Sequence, residues 1–149
     1  MPSGISTFTD LFRAATGLPN QAPFPYQERF ATQDGECPDV VHAPTGAGKT
    51  LTAILGWLWR RRYHPVPSAR QATPRRLVYC LPMRTLVEQT GSEVKGWIGN
   101  VLKHSGDLAE RTVAGLKWLS DPSPIVLKGA TLDPSFMHLG EGPDRTSVV

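Results

Sequence analysis

Apolar positions recur at helical spacing over much of this chain, and at strand spacing only in short runs. From Thr7 to Ala15, Phe8, Leu11, Phe12 and Ala15 share one face, which predicts a short helix. Thr7 with Asp10 three residues on has the form of a capping box; Gly17 suits a C-cap, and Pro19 follows it. Pro23 and Pro25 force an extended approach to a second helix, with Pro25 in its first turn. Residues 33–39 are a polar loop. Val40 to Ala43 is an apolar run interrupted only by His42, and predicts a short strand.

Thr50 to Tyr63 predicts a longer helix, with Leu51, Ile54, Leu55 and Leu58 near one face. Trp57 and Trp59 widen that surface, which points to core packing on more than one side rather than to base stacking. A Pro-rich loop, expected to be mobile, covers 64–74. Leu77 to Leu81 is continuously apolar, as in a buried parallel strand, and puts Cys80 in the core. Thr85 to about Val101 predicts a further helix despite Gly91, Gly96 and Gly99, and Asp107 to Leu119 another. Ile125 to Leu127 is a candidate strand. No period is sustained from Gly129 on. Strands alternating with helices imply an α/β fold with a parallel sheet, helices on both its faces and right-handed crossovers.

The chemistry concentrates where the Val40 run meets the helix that follows. Residues 43–50 read Ala-Pro-Thr-Gly-Ala-Gly-Lys-Thr. Gly46 and Gly48 let the backbone turn tightly and approach a phosphate with no Cβ in the way. Main-chain N–H groups from Thr45 through Ala47 to Gly48 then face phosphate oxygens, and the following helix adds the positive end of its dipole. Lys49 suits the β- and γ-phosphates, and the Thr50 hydroxyl suits Mg²⁺. The strict pattern opens with Gly, and Ala43 stands in that position.

Bulk properties narrow the field without choosing within it. The 149 residues suffice for one domain with a core, and 40% hydrophobic with 19% charged content is that of an ordinary soluble protein. A formal charge of +3 is a mild basic bias. The one dense basic run, Arg60-Arg61-Arg62, serves either a helix C-terminus or a phosphate backbone. Cys37 and Cys80 form no metal or redox motif, and free thiols fit a reducing cytoplasm. No secretion signal is visible, and no apolar run approaches the ~20 residues that span a bilayer.

Three stretches together resemble superfamily-two helicases of the DEAD/DEAH type. Pro25-Tyr26-Gln27 is similar to the Q motif, Ala43 to Thr50 to motif I in its Ala-first form, and Pro82-Met83-Arg84-Thr85-Leu86-Val87-Glu88-Gln89 to motif Ia. A narrower likeness is to the helicase part of the CRISPR-associated helicase-nuclease of type I systems. It rests on Thr16-Gly17, Pro23-Phe24-Pro25-Tyr26-Gln27, Trp57-Leu58-Trp59 and Pro74-Arg75-Arg76-Leu77-Val78-Tyr79, and more faintly on Trp118, Asp121-Pro122, Pro124 to Leu127 and Thr131. The resemblance implies ATP and Mg²⁺ as cofactors. It gives Gln27 the adenine base, which suits an amide that donates and accepts at once; a helix-surface glutamine is the plain alternative. Phe24 packs either near the base or in the core. Arg84 and Thr85 are implied in holding a nucleic-acid backbone, with a salt-bridged helix cap the alternative for Arg84.

Hydrolysis in such motors needs a carboxylate pair at a strand end. No apolar strand followed by Asp-Glu occurs after Arg84, and Asp133 is a poor substitute. The expected architecture is therefore a partial RecA-like P-loop domain that stops before the Walker B strand. Residues 1–36 would carry the helices and the Q-like motif, 37–128 the partial RecA-like domain, and 129–149 an irregular tail. The favoured reading is an ATP-binding N-terminal fragment of an ATP-dependent DNA helicase of CRISPR type I interference, inactive alone. Its implied partners are single-stranded DNA, an RNA-guided complex and the missing helicase half. The alternatives are a non-hydrolysing nucleotide-binding regulatory or interaction module, and another P-loop NTPase or kinase.

Overall fold

The computed structural model describes residues 4–104, 125–126 and 145–148, and divides the chain into two compact units, Met1–Pro74 and Arg75–Val149. In the first unit, α1 (Phe8–Thr16) and α2 (Pro25–Thr32) precede the Gly-rich loop. α3 (Lys49–Leu58) follows that loop, continues as a π-helical turn over Trp59–Tyr63, and leads to the short α4 (Pro67–Ala72). In the second, strand β1 (Arg76–Tyr79) is followed by α5 (Arg84–Lys103), β2 (Ile125–Val126) and β3 (Arg145–Val148).

The ends of α1 follow from its sequence. The Asp10 main-chain N–H donates to Thr7 Oγ1 over 3.1 Å, and Asp10 Oδ2 accepts from the Thr7 N–H over 2.8 Å, completing the capping box. Gly17 closes the helix at φ 71°, a left-handed conformation that costs glycine nothing. Slight burial pushes the Asp10 carboxyl up, but the hydrogen bonds from Thr7 and Ser6 outweigh it and hold the carboxyl below its ordinary range.

The core of the first unit is built from Phe8, Leu11, Phe12 and Ala15 of α1, Ala31 of α2, and Ile54, Leu55, Trp57 and Leu58 of α3. Both tryptophans are core residues. Trp57 Nε1 donates to the Pro74 carbonyl over 2.7 Å, and Trp59 meets Phe8 edge-on and stacks on Tyr63. α2 and α3 approach closely at Gly56, where a Cβ would run into the Phe30 ring.

The far end of α2 is held by side chains from the π-helical turn. Arg60 is wholly buried and donates to the carbonyls of Phe30 (3.3 Å), Gln33 (2.6 Å) and Gly35. His64 Nε2 lies 3.1 Å from the Thr32 carbonyl, while its Nδ1 accepts from the Val66 N–H. These contacts satisfy carbonyls that a helix C-terminus leaves without partners. Arg60 is therefore a helix-capping residue, the first of the two roles open to the basic run.

Several expectations are corrected. Val40 to Ala43 does not form a strand, and Val40 is 81% exposed. An extended segment becomes a strand only with a neighbour to complete its ladder, and no described strand pairs with it. The helix expected to run to Tyr63 ends at Leu58 and widens into the π-turn, where the His64 N–H reaches back five residues to the Trp59 carbonyl. The Pro-rich stretch 64–74 contains α4, opened by Pro67 in its first turn.

In the second unit β3 lies between β1 and β2 and pairs in parallel with both, Leu77 opposite Thr146 and Ile125 opposite Ser147. Among the described strands β1 is therefore at an edge, and Val78 is exposed, so the strand is not buried as its apolar run suggested. Cys80 lies past its end and is exposed. β3 falls inside the stretch read as irregular; Thr146 and Val148 suit a strand, but four residues are too few for a period to show. α5 buries Val87, Thr90, Gly91, Val94, Ile98 and Val101 along one stripe. The helix expected over Asp107–Leu119 and the residues Trp118, Asp121, Pro122, Pro124, Thr131 and Asp133 lie outside the described residues.

Candidate functional site

The Gly-rich loop is bent back on itself. Ala47 N–H donates to the Pro44 carbonyl over 3.3 Å, and the chain reverses through positive φ at Gly46 (79°) and Gly48 (74°). A side chain at either position would be strained in that region. At Gly48 a Cβ would also lie 2.9 Å from Gln27 Nε2. Gly48 is thus required twice, for its dihedral and for the close approach of α2.

Lys49 closes the loop. Its Nζ donates to the Ala43 carbonyl over 2.9 Å and to the Pro44 carbonyl over 3.0 Å, so the ammonium lies across the loop from its last turn to its first. Among the described residues no carboxylate pairs with Lys49, and none accepts a hydrogen bond from the main-chain N–H of Gly46, Gly48 or Lys49. Donors and one positive charge at a helix N-terminus are what an oxyanion needs. Thr45 is exposed at the outer bend, while Ala47 and Thr50 are partly buried. Thr50 is the second residue of α3, where its hydroxyl is an oxygen ligand of the class Mg²⁺ takes.

Beneath the loop is a polar cluster that the sequence only half disclosed. Gln27 is 2% exposed. Its Nε2 donates to Thr52 Oγ1 over 3.0 Å and to the Gly48 carbonyl over 3.3 Å, and its Oε1 accepts from the Phe24 N–H over 2.8 Å. The Tyr26 hydroxyl donates to the Ala47 carbonyl. The Thr52 hydroxyl, with one proton to give, lies 2.8 Å from the Gly48 carbonyl and 3.2 Å from the Tyr26 hydroxyl. The first turn of α2 therefore supports both loop residues that precede Lys49. Gln27 is not a surface glutamine, and its partners are the loop, α3 and the N-terminus of its own helix. Tyr26 and Thr52 were missed as site residues; Tyr26 stood in plain view within the Pro-Tyr-Gln triplet. Phe24 is 53% exposed and not in the core, with its ring nearly parallel to Tyr26 at 6.4 Å between centroids.

In the second unit, Arg84 and Thr85 are the first two residues of α5, and both are exposed. Arg84 Nε meets Glu88 Oε1 at 3.4 Å, one helical turn on, and the Arg84 side chain is 74% exposed. An exposed pair of this kind contributes little and is easily exchanged for another anion.

The family model for DEAD/DEAH box helicases matches residues 25–128, more than half of the chain. That span includes Gln27, the Gly-rich loop and the first turn of α5. No curated protein and no solved structure matches the chain.

Proposed function

Since the chain belongs to the DEAD/DEAH box helicase family, we propose that it is the ATP-binding N-terminal part of an ATP-dependent DNA helicase of the type I CRISPR kind. The observation that carries the nucleotide reading is the closed loop, with Lys49 Nζ returned to the Ala43 and Pro44 carbonyls across two glycines at positive φ. In this reading the N–H groups of Thr45, Gly46 and Gly48 and the Lys49 ammonium hold the triphosphate, the Ala47 N–H being turned to the Pro44 carbonyl inside the loop, and Thr50 offers an oxygen to Mg²⁺. When bound, Mg·ATP supplies the phosphoryl group whose transfer to water drives motors of this family.

Gln27, Tyr26 and Thr52 fix the loop so that its donors are in place before the nucleotide arrives, which lowers the ordering cost of binding. Arg84 and Thr85 would hold the phosphate backbone of single-stranded DNA, with Arg84 exchanging Glu88 for a phosphate. The CRISPR attribution rests on the narrower likeness at Pro23 to Gln27, Trp57 to Trp59 and Pro74 to Tyr79. An RNA-guided complex in the cytoplasm and the rest of the helicase are the partners this reading requires. The sequence offers no Asp-Glu strand end after Arg84, so the chain alone binds nucleotide without turning it over.

A second reading, a nucleotide-binding regulatory or interaction module, is favoured by one feature: residues 1–74 form a compact unit with its own core. Titration of a fluorescently labelled single-stranded oligonucleotide with the chain, with and without Mg·ATP, separates the two. DNA binding that weakens in Arg84→Ala supports the helicase part. Unaltered nucleotide binding with no DNA binding supports the module.

A further inference from the structure

In a trans peptide bond the carbonyl of one residue and the N–H of the next point to opposite sides. A side chain that holds the carbonyl therefore also aims the N–H. Both peptide planes flanking Gly48 are held on their carbonyl side. The Gly48 carbonyl accepts from the Thr52 N–H over 2.9 Å and from Gln27 Nε2 over 3.3 Å. The Ala47 carbonyl lies outside α3, which begins at Lys49. Among the described residues it accepts from the Tyr26 hydroxyl alone. The N–H across that plane belongs to Gly48, and it donates to no described residue.

The plane between Ala47 and Gly48 is also the one that the backbone itself fixes least. Gly48 has a φ of 74°. A half-turn of the plane carries it to a negative φ, and glycine populates the two signs about equally. The half-turn would bring the Gly48 N–H round to face α2 and put the Ala47 carbonyl where the N–H had been. The residue that permits this turn of the loop thus permits its inverse as well. The Tyr26 hydroxyl tells them apart, because its proton has the Ala47 carbonyl as acceptor in one orientation and loses it in the other.

We propose that Tyr26 is a positioning residue that selects this orientation, so that the Gly48 N–H is aimed at a phosphate oxygen before the nucleotide arrives. This deepens the nucleotide reading above and rests on it. Tyr26 acts through the Ala47 carbonyl and touches neither phosphate nor base. A loop with the inverted plane offers one donor fewer and a carbonyl that repels phosphate. Affinity therefore falls with the fraction of molecules in the selected orientation.

The test uses Tyr26→Phe, which keeps the half-buried ring and its stack with Phe24 and removes only the hydroxyl. The whole chain is titrated calorimetrically with Mg²⁺ and ATP, and separately with Mg²⁺ and inorganic tripolyphosphate, with circular dichroism showing both proteins folded. Both affinities should weaken by the same factor, roughly threefold to tenfold, as loss of one net hydrogen bond requires. In the unaltered chain, tripolyphosphate should shift the ¹H–¹⁵N resonance of the Gly48 amide, a readout that needs no variant and that stability alone does not move. Equal affinities in the two folded proteins overturn the proposal, as does a Gly48 amide that bound tripolyphosphate leaves unmoved. So does ATP binding that weakens while tripolyphosphate binding holds, since Tyr26 would then act at the base. A folded, unaltered chain that binds neither compound overturns the phosphate-loop reading and the proposal with it, a result distinct from the other three.

Discussion

Gln27 Nε2 donates to Thr52 Oγ1 across 3.0 Å in a buried position, joining the first turn of α2 to the first turn of α3 directly beneath the phosphate loop. The loop's shape is thus set by its neighbours as well as by its glycines. Thr52→Val, which keeps the volume and removes the hydroxyl, should leave a Gln27 donor buried without its partner. Urea unfolding should show a loss of about 1–3 kcal/mol. Nucleotide affinity should fall with it, whereas a merely local packing change would lower stability and leave affinity untouched.

The packing of α2 on α3 makes a sharper prediction at Gly56. A methyl group there would overlap the Phe30 ring. Gly56→Ala should therefore destabilise by about 1–3 kcal/mol, despite alanine's better helix propensity. Phe30→Leu placed in the same chain should recover part of that loss in a double-mutant cycle. An additive result would mean that the two residues do not meet.

Arg60 separates from its two arginine neighbours in what its removal should cost. Its guanidinium supplies three main-chain carbonyls at the end of α2 and the loop after it. Arg60→Met takes the donor from these part-buried carbonyls and should cost about 1–3 kcal/mol in chemical unfolding. Arg62→Ala, in a partly exposed position, should cost well under half of that.

Burial pushes the Tyr63 hydroxyl up to about 12, against a smaller opposing pull from Arg62. The folded value lies above the ordinary 10.0, so the folded state favours the protonated phenol. That contribution to stability is whole below pH 10.0 and is lost as pH rises toward about 12. Phenolate absorbance should show one of the three tyrosines titrating late and together with the loss of helical circular dichroism. Three tyrosines titrating near 10.0 in a chain that stays helical would contradict this.

How much of this was legible in the sequence depends on how local the cause is. α1 could be read almost to the residue, because Thr7, Asp10 and Gly17 act within one turn of the helix ends they define. The bend of the Gly-rich loop was legible because positive φ at Gly46 and Gly48 is a local property of glycine, whereas its support by Tyr26 and Gln27 from more than twenty residues away was not. Strand formation at Val40–Ala43 was not, because a strand depends on a neighbour that no local pattern reveals. Arg60 was read as one of three equivalent charges. Its burial follows from where the π-turn aims it relative to the end of α2, a relationship between residues twenty-five or more apart. Gln27 was found from a motif, but only packing disclosed that Gly48 and Thr52 occupy its amide.

In the nucleotide reading the turn at residues 43–50 wraps a triphosphate, and Lys49 closes it. Calorimetric titration of the folded chain with Mg·ATP, beside Lys49→Ala, tests it most directly. Saturable one-to-one binding that weakens by at least about tenfold in the variant is the predicted result, as loss of a charge-assisted contact to phosphate requires. Equal affinity in the two proteins, or no binding by the unaltered chain with its helical signal intact, would contradict it.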